Sequence, residues 1–109
     1  MVQEREKVSF AYYEMQVVRW SEQRKIIPNS TPMAQAIKAL EEVGELVFAL
    51  HDNNKPEVAD AVGDIVVCLL NVCALSDLNL TDCLAGAYDQ IKDRKGYMNE
   101  QGLFIKEKK

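Results

Sequence analysis

An all-α fold, a four-helix bundle within a single domain spanning residues 1–109, is what this sequence predicts. Three observations predict it. Apolar residues recur at three- and four-residue spacing through four segments, prolines and polar capping residues separate those segments, and strand-like alternation is nearly absent. With 48% of 109 residues hydrophobic, the chain is long enough to build a core without covalent staples.

The first helix is expected from about Val8 to Lys25, where Phe10, Tyr13, Val17 and Trp20 fall at helical spacing, and it must stop before Pro28. Asn29-Ser30-Thr31-Pro32 reads as a loop closing on an N-cap, with Pro32 at the first helical position, where a missing N–H costs nothing. The second helix then carries Met33, Ile37, Leu40, Gly44, Val47 and Phe48 along one face, expected to point inward, and fades at Asp52-Asn53-Asn54. Pro56 starts a third helix that runs to Leu75, and Ser76-Asp77-Leu78-Asn79 breaks it. Asn79 or Thr81 caps a fourth helix, expected to continue to about Gly96. Beyond it, Tyr97-Met98 and Leu103-Phe104-Ile105, on either side of Asn99-Glu100-Gln101-Gly102, suit a short C-terminal hairpin.

Composition narrows the function. A formal charge of −4 argues against binding a nucleic acid polymer, which needs a basic stripe. Nucleotides stay open, because a bound cation reverses the local field of an acidic site. Cys68, Cys73 and Cys83 form no C-x-x-C pair and lie in or beside apolar helical runs, as reduced thiols in a cytoplasmic protein would. The apolar run from Ile65 to Leu75 is shorter than the ~20 residues of a membrane span, and the first residues are charged and polar, so a soluble protein with no membrane partner is expected. Basic residues gather at Lys92, Arg94 and Lys95, and again at Lys106, Lys108 and Lys109, the latter read as a solvated tail.

Two acidic clusters, each built around a glycine, carry the chemistry: Glu41-Glu42-Val43-Gly44-Glu45 and Asp60-Ala61-Val62-Gly63-Asp64. At 100° per residue, Glu57, Asp60, Asp64 and Asn71 share one narrow sector of the third helix, while valines, leucines and cysteines cover the rest. Such a stripe faces either a solvated groove or a cation. Glu42 and Glu45 converge as an i, i+3 pair, and like charges so close repel unless a cation sits between them. Mid-helix glycine costs about 1 kcal/mol against alanine, so Gly44 and Gly63 are expected to repay it through close approach of the second and third helices. A short link at residues 52–55 makes those helices antiparallel neighbours. A lone His51 and dispersed cysteines do not make a zinc set, whereas carboxylates suit Mg²⁺, with Mn²⁺ as a substitute. Trp20 reads either as core or as a stacking surface for a base. Asn71 reads either as a structural hydrogen bond or as a contact to sugar or base.

At these residues the chain resembles the MazG-type all-α nucleotide pyrophosphohydrolases, a superfamily that also holds dimeric dUTPases and phosphoribosyl-ATP pyrophosphatases. The family pattern is E-E-x-x-E followed, after a variable gap, by E-x-x-D. Glu41, Glu42 and Glu45 match the first half, and Lys38, Gly44 and the run after Gly63-Asp64 fit the context. The likeness covers about Trp20 to Gly96. Taking Asp64 as the aspartate of E-x-x-D puts Ala61 where the glutamate belongs, with Asp60 as its nearest replacement and Glu57 a weaker one. The resemblance implies a Mg²⁺-dependent hydrolysis of nucleoside triphosphate to monophosphate and pyrophosphate, with Glu42, Glu45, Asp60 and Asp64 as metal ligands. Glu41 would serve as general base or as a solvated acid, and Lys38, Lys92, Lys95, Asn71 and Trp20 would contact substrate. It also implies a homodimer or homotetramer, which an almost wholly apolar third helix independently favours. A narrower dUTPase-like or phosphoribosyl-ATP enzyme, or a catalytically weak helical module that binds metal or nucleotide, are the alternatives.

Overall fold

The computed structural model describes residues 8–108. Four long helices occupy the expected segments: α1 (Phe10–Gln23), α3 (Pro32–His51), α4 (Lys55–Leu75) and α5 (Leu80–Ile91), with one irregular helical turn, α2 (Ile26–Asn29), between the first two. Each long helix opens on a side-chain cap that satisfies an otherwise orphaned N–H. Ser9 Oγ accepts from Tyr12 N at 3.1 Å and Thr31 Oγ1 from Ala34 N at 3.0 Å. Asn54 Oδ1 accepts from Glu57 N at 3.2 Å, and Asn79 Oδ1 from Asp82 N at 2.9 Å, so Asn79 rather than Thr81 caps α5.

The last helix ends at Ile91, short of the expected Gly96. Arg94 N bonds the Ile91 carbonyl at 2.9 Å, and the Lys95 carbonyl accepts from Glu107 N at 2.8 Å, which commits this stretch to the hairpin. Gly96 opens β1 (Gly96–Met98) instead of closing a helix, because a side chain there would collide with the Ile105 carbonyl and the Phe104 ring of β2 (Phe104–Lys106). The strands are antiparallel, with Tyr97 opposite Ile105. Asn99 Oδ1 holds the turn by accepting from Gln101 N and Leu103 N, and Gly102 supplies the positive φ.

Helices α3 and α4 form a tight helical hairpin across the link 52–54, the most extensive packing in the chain. The side of α3 that is buried or half-buried is the seam Gln35, Ala39, Glu42, Leu46 and Ala49, not the stripe of large residues. Alanines on a facing row let helix axes draw close, and helix packing distance is set by the side chains at the contact. Met33, Ile37, Leu40, Val47 and Phe48 therefore point away, with Leu40 71% and Phe48 72% exposed. The glycines do not serve close approach either: a Cβ at Gly44 or at Gly63 would meet open space. The aromatic stripe of α1 is likewise half-exposed, while Glu14 and Ser21 are its buried residues.

Polar groups join the helices at two buried points. Ser21 Oγ donates to Asn71 Oδ1 at 2.6 Å, and Asn71 Nδ2 donates to Gln35 Oε1 at 3.1 Å, tying α1, α4 and α3 together. Glu14 of α1 accepts from Leu80 N at 2.8 Å and from Thr81 Oγ1 at 2.7 Å, placing a carboxylate at the positive N-terminal end of α5. Taken whole, α4 is long and apolar enough to cross a membrane by length and composition, because Val58, Ala59, Ala61 and Val62 extend the run that begins at Ile65. Here it packs against α3 and α1, with Ala61, Cys68, Leu70 and Cys73 buried.

Candidate metal centre

The stripe on α4 opens onto a cleft against α3. Glu57, Asp60 and Asp64 recur at three- and four-residue spacing and so lie on one helix face. With Glu45 of α3 and the methyl of Ala61 they line a cavity of about 230 Å³. Ala61 is buried in this wall, so the expected gap in the ligand set is a small apolar patch among the acids. Hard carboxylate oxygens from two helices facing one space are the donor chemistry that Mg²⁺ or Mn²⁺ takes. Among the described residues no three His, Cys, Asp or Glu side chains stand close enough to hold an ion as they are placed. The cleft gathers the donors without a closed ligand set.

Glu42 lies deeper, on the buried seam, 3.7 Å from Lys38 Nζ, and is only 7% exposed. Its charge is felt by Cys68 of α4. Burial pushes that thiol above its ordinary pKa, the negative charge of Glu42 adds to the shift, Lys38 opposes it, and Asp64 and Glu41 add more. Glu42 itself is not among the residues that line the cleft. Glu41 is exposed, one turn before Glu45.

The structure distributes the expected substrate contacts unevenly. Trp20 is half-exposed and, with Gln16, Val17 and Val67, lines a second cavity of about 350 Å³ that has Asp64 as a shared wall. Asn71 points instead into the buried junction with Ser21 and Gln35. Lys38 is engaged by Glu42, and Lys92 pairs with Asp89 at 3.6 Å. Lys95 lines a separate cavity of about 560 Å³ with Arg94, Lys106 and Lys108. The two basic groups therefore meet across the hairpin, so Lys106 and Lys108 are not a free tail; Lys109 lies outside the described residues.

Glu57 is the cleft residue that sequence reasoning undervalued. The signal was present: Glu57-Val58-Ala59-Asp60 itself spells E-x-x-D, one helical turn before the register centred on Asp64.

Residues 21–90, more than half of the chain, match the family model of phosphoribosyl-ATP pyrophosphohydrolase. The chain belongs to that family. A second member of the comparison is an uncharacterized 18.2 kDa protein from the rep-hol intergenic region of Haemophilus phage HP1 (strain HP1c1), 35% identical over 54 residues. Those residues are 50% of this chain and 33% of the phage protein, so the match spans a third of that relative's length. Among solved structures, the cyanophage S-2L MazG-like pyrophosphohydrolase, bound to dGDP and three catalytic Mn²⁺ ions per active site, superimposes with a TM-score of 0.70. The likeness covers 94% of this chain and 97% of that one at 19% identity, and it shows that the phosphoribosyl-ATP pyrophosphohydrolase family member described here has the MazG-like all-α fold.

Proposed function

We propose that this chain is a divalent-metal-dependent nucleotide pyrophosphohydrolase that converts a nucleoside or deoxynucleoside triphosphate to its monophosphate and pyrophosphate. One observation carries the reading: carboxylates from α3 and α4 line a single cleft that shares Asp64 with an apolar cavity. Family membership supports it, as does the Mn²⁺ and dGDP held by the cyanophage relative of the same fold.

Glu42, Glu45, Asp60 and Asp64 would hold the ion, with Glu57 as a further carboxylate at the mouth of the cleft. Bound there, Mg²⁺, or Mn²⁺ in its place, would neutralise phosphate charge and lower the pKa of water. The protein's part is placement. Lys38 pairs with Glu42, Glu42 lies on the buried face of α3, and Glu41, one turn before Glu45, would accept the proton of the attacking water. Lys92 and Lys95 lie outside the cleft of their own chain, so phosphate contact by either would come through a second copy.

A homodimer or homotetramer is part of this proposal. The chain exposes 8977 Å². A folded monomer of its 12.3 kDa mass is expected to expose about 6,100 Å². The outward stripe of α3, with Met33 69%, Leu40 71% and Phe48 72% exposed, is an apolar face that a second copy would cover. Three free thiols support a cytoplasmic protein. Phosphoribosyl-ATP is the second substrate reading, favoured by the family match.

The test is Mn²⁺ binding followed by electron paramagnetic resonance, alongside pyrophosphate release from a panel of NTPs, dNTPs and phosphoribosyl-ATP. Metal binding and release should both be present in the wild type and both be lost in Asp64→Asn. Metal binding without release from any member of the panel would leave the catalytically silent module as the better account.

A further inference from the structure

We propose that Cys83 and Cys73 form a reversible oxidation site: a hydroperoxide oxidises exposed Cys83, and Cys73 converts the product to a disulfide that ties α5 to α4. The corner between these helices brings the two thiols together. Leu78 N donates to the Cys73 carbonyl at 2.7 Å, turning the chain back at the end of α4, and Cys83 N donates to the carbonyl of the cap residue Asn79 at 3.0 Å. Glu14 accepts from Leu80 N and Thr81 Oγ1 at the start of α5, and its charge is also felt by Cys73, so Cys73 lies beside the first turn of α5. Cys83 stands one turn after Asn79, and the two thiols are hydrogen-bonded to each other. Sulfurs in such contact need only a small movement of their short side chains to close to the about 2 Å of a disulfide bond.

The pair is asymmetric in the sense such a site needs. Cys83 is exposed and meets the oxidant, whereas Cys73 is buried. Burial pushes the Cys73 thiol above its ordinary range, and the hydrogen bond and charge of Cys83 and the charge of Glu14 add to the shift, so Cys73 is the poorer first nucleophile. The Cys83 sulfur attacks one peroxide oxygen, the O–O bond breaks, the thiol proton leaves with the departing oxygen as water, and Cys83 becomes a sulfenic acid. The Cys73 sulfur then attacks that sulfur, the S–O bond breaks and a second water leaves with the Cys73 proton. Contact supplies by proximity what Cys73 lacks in thiolate character. Two thiols have lost two electrons to the peroxide, and a small dithiol returns them by exchange. Cys68, five residues before Cys73, lies roughly 140° away around α4 and stays outside the pair. The bond has a mechanical consequence. No residue of α5 is buried, and among the described elements α5 packs only on α1 and α4. The Glu14 cap and the thiol contact anchor it, and a disulfide there holds α5 and the hairpin beyond it to the bundle.

The test treats the purified chain with equimolar hydrogen peroxide, blocks the remaining thiols by alkylation and cleaves before aspartate. Cuts at Asp64, Asp77, Asp82 and Asp89 place Cys68 and Cys73 on one peptide and Cys83 on another. Mass spectrometry should find those two peptides joined through Cys73, with the alkyl group on Cys68, and dithiothreitol should separate them. The oxidised chain should melt higher by roughly 10 °C at fixed protein concentration, the order expected for closing so short a loop. Cys83→Ser should leave Cys73 alkylated and abolish the rise, and Cys73→Ser should leave Cys83 as a sulfenic acid that dimedone traps. Treated wild type with Cys73 still alkylated, or with Cys83 bonded only to Cys83 of a second copy, would overturn the site. A Cys73–Cys83 bond that forms without raising the melting temperature would overturn its role in holding α5.

Discussion

Asn71→Ala separates a structural amide from a substrate contact. In the wild type its carboxamide accepts from Ser21 Oγ at 2.6 Å and donates to Gln35 Oε1 at 3.1 Å, and the Ser21 residue is completely buried. Removing the amide leaves the serine hydroxyl without that acceptor and away from water, which costs about 1–3 kcal/mol, and forfeits a hydrogen bond worth about 1 kcal/mol. Gln35 is only half-buried, so its carbonyl recovers water and adds little. The expected loss is about 2–4 kcal/mol, a large share of the roughly 5–15 kcal/mol that holds a domain together. At about 4–8 °C per kcal/mol for a domain near this size, melting should fall by at least ~8 °C. Urea unfolding followed by circular dichroism, at fixed protein concentration because association contributes to stability, measures it. The double variant with Ser21→Ala should lose less than the sum of the single losses, by about 1 kcal/mol, since the orphaned hydroxyl is then gone. An Asn71→Ala protein that unfolds at the wild-type midpoint but shows a raised KM would refute this and make Asn71 a ligand contact.

Other outcomes follow from the same geometry. Glu57→Gln and Asp60→Asn should each lower metal-dependent turnover by roughly 100-fold, the order seen when one preorganised charge is removed from a reacting site, as measured by pyrophosphate release. Near-wild-type rates in Glu57→Gln would restore the register that centres the motif on Asp64 alone. Phe48→Asp on the outward stripe of α3 should dissociate the assembly without unfolding the helices, as read by light scattering and circular dichroism; an unchanged mass would place the interface elsewhere. A brief pulse of thiol reagent under native conditions should label exposed Cys83 before buried Cys68 and Cys73, both of whose thiols are pushed upward chiefly by burial, and mass spectrometry of peptides resolves the order.

The helices were legible because their ends are local chemistry. Thr31-Pro32 and Asn54 with Pro56 announce starts by the capping and N–H rules, and the structure places caps at Thr31 and Asn54. Gly96 misled for a physical reason: a glycine past a helical pattern resembles a helix stop, but this one clears space for Phe104 eight residues later, a non-local demand. The packing face of α3 misled in the same way. Size and hydrophobicity singled out Leu40 and Phe48, whereas the α4 contact selects the alanines at 39 and 49, leaving the large residues outward. Within the cleft, Glu45, Asp60 and Asp64 followed from helical periodicity. Glu57 was visible by the same periodicity, and a fixed motif register obscured it. The partners of Asn71 lie 36 and 50 positions away and those of Glu14 on α5 lie 66 and 67 positions away, and no local pattern announces such pairs.

If the α3–α4 carboxylate cleft cleaves a nucleotide between its α- and β-phosphates with a divalent ion, phosphorus NMR of the products, with Mg²⁺ or Mn²⁺ and then with excess chelator, will show it. Equal amounts of nucleoside monophosphate and pyrophosphate should form, only with the metal and not in Asp64→Asn. Nucleoside diphosphate with inorganic phosphate, or product formation undiminished in that variant, would contradict it.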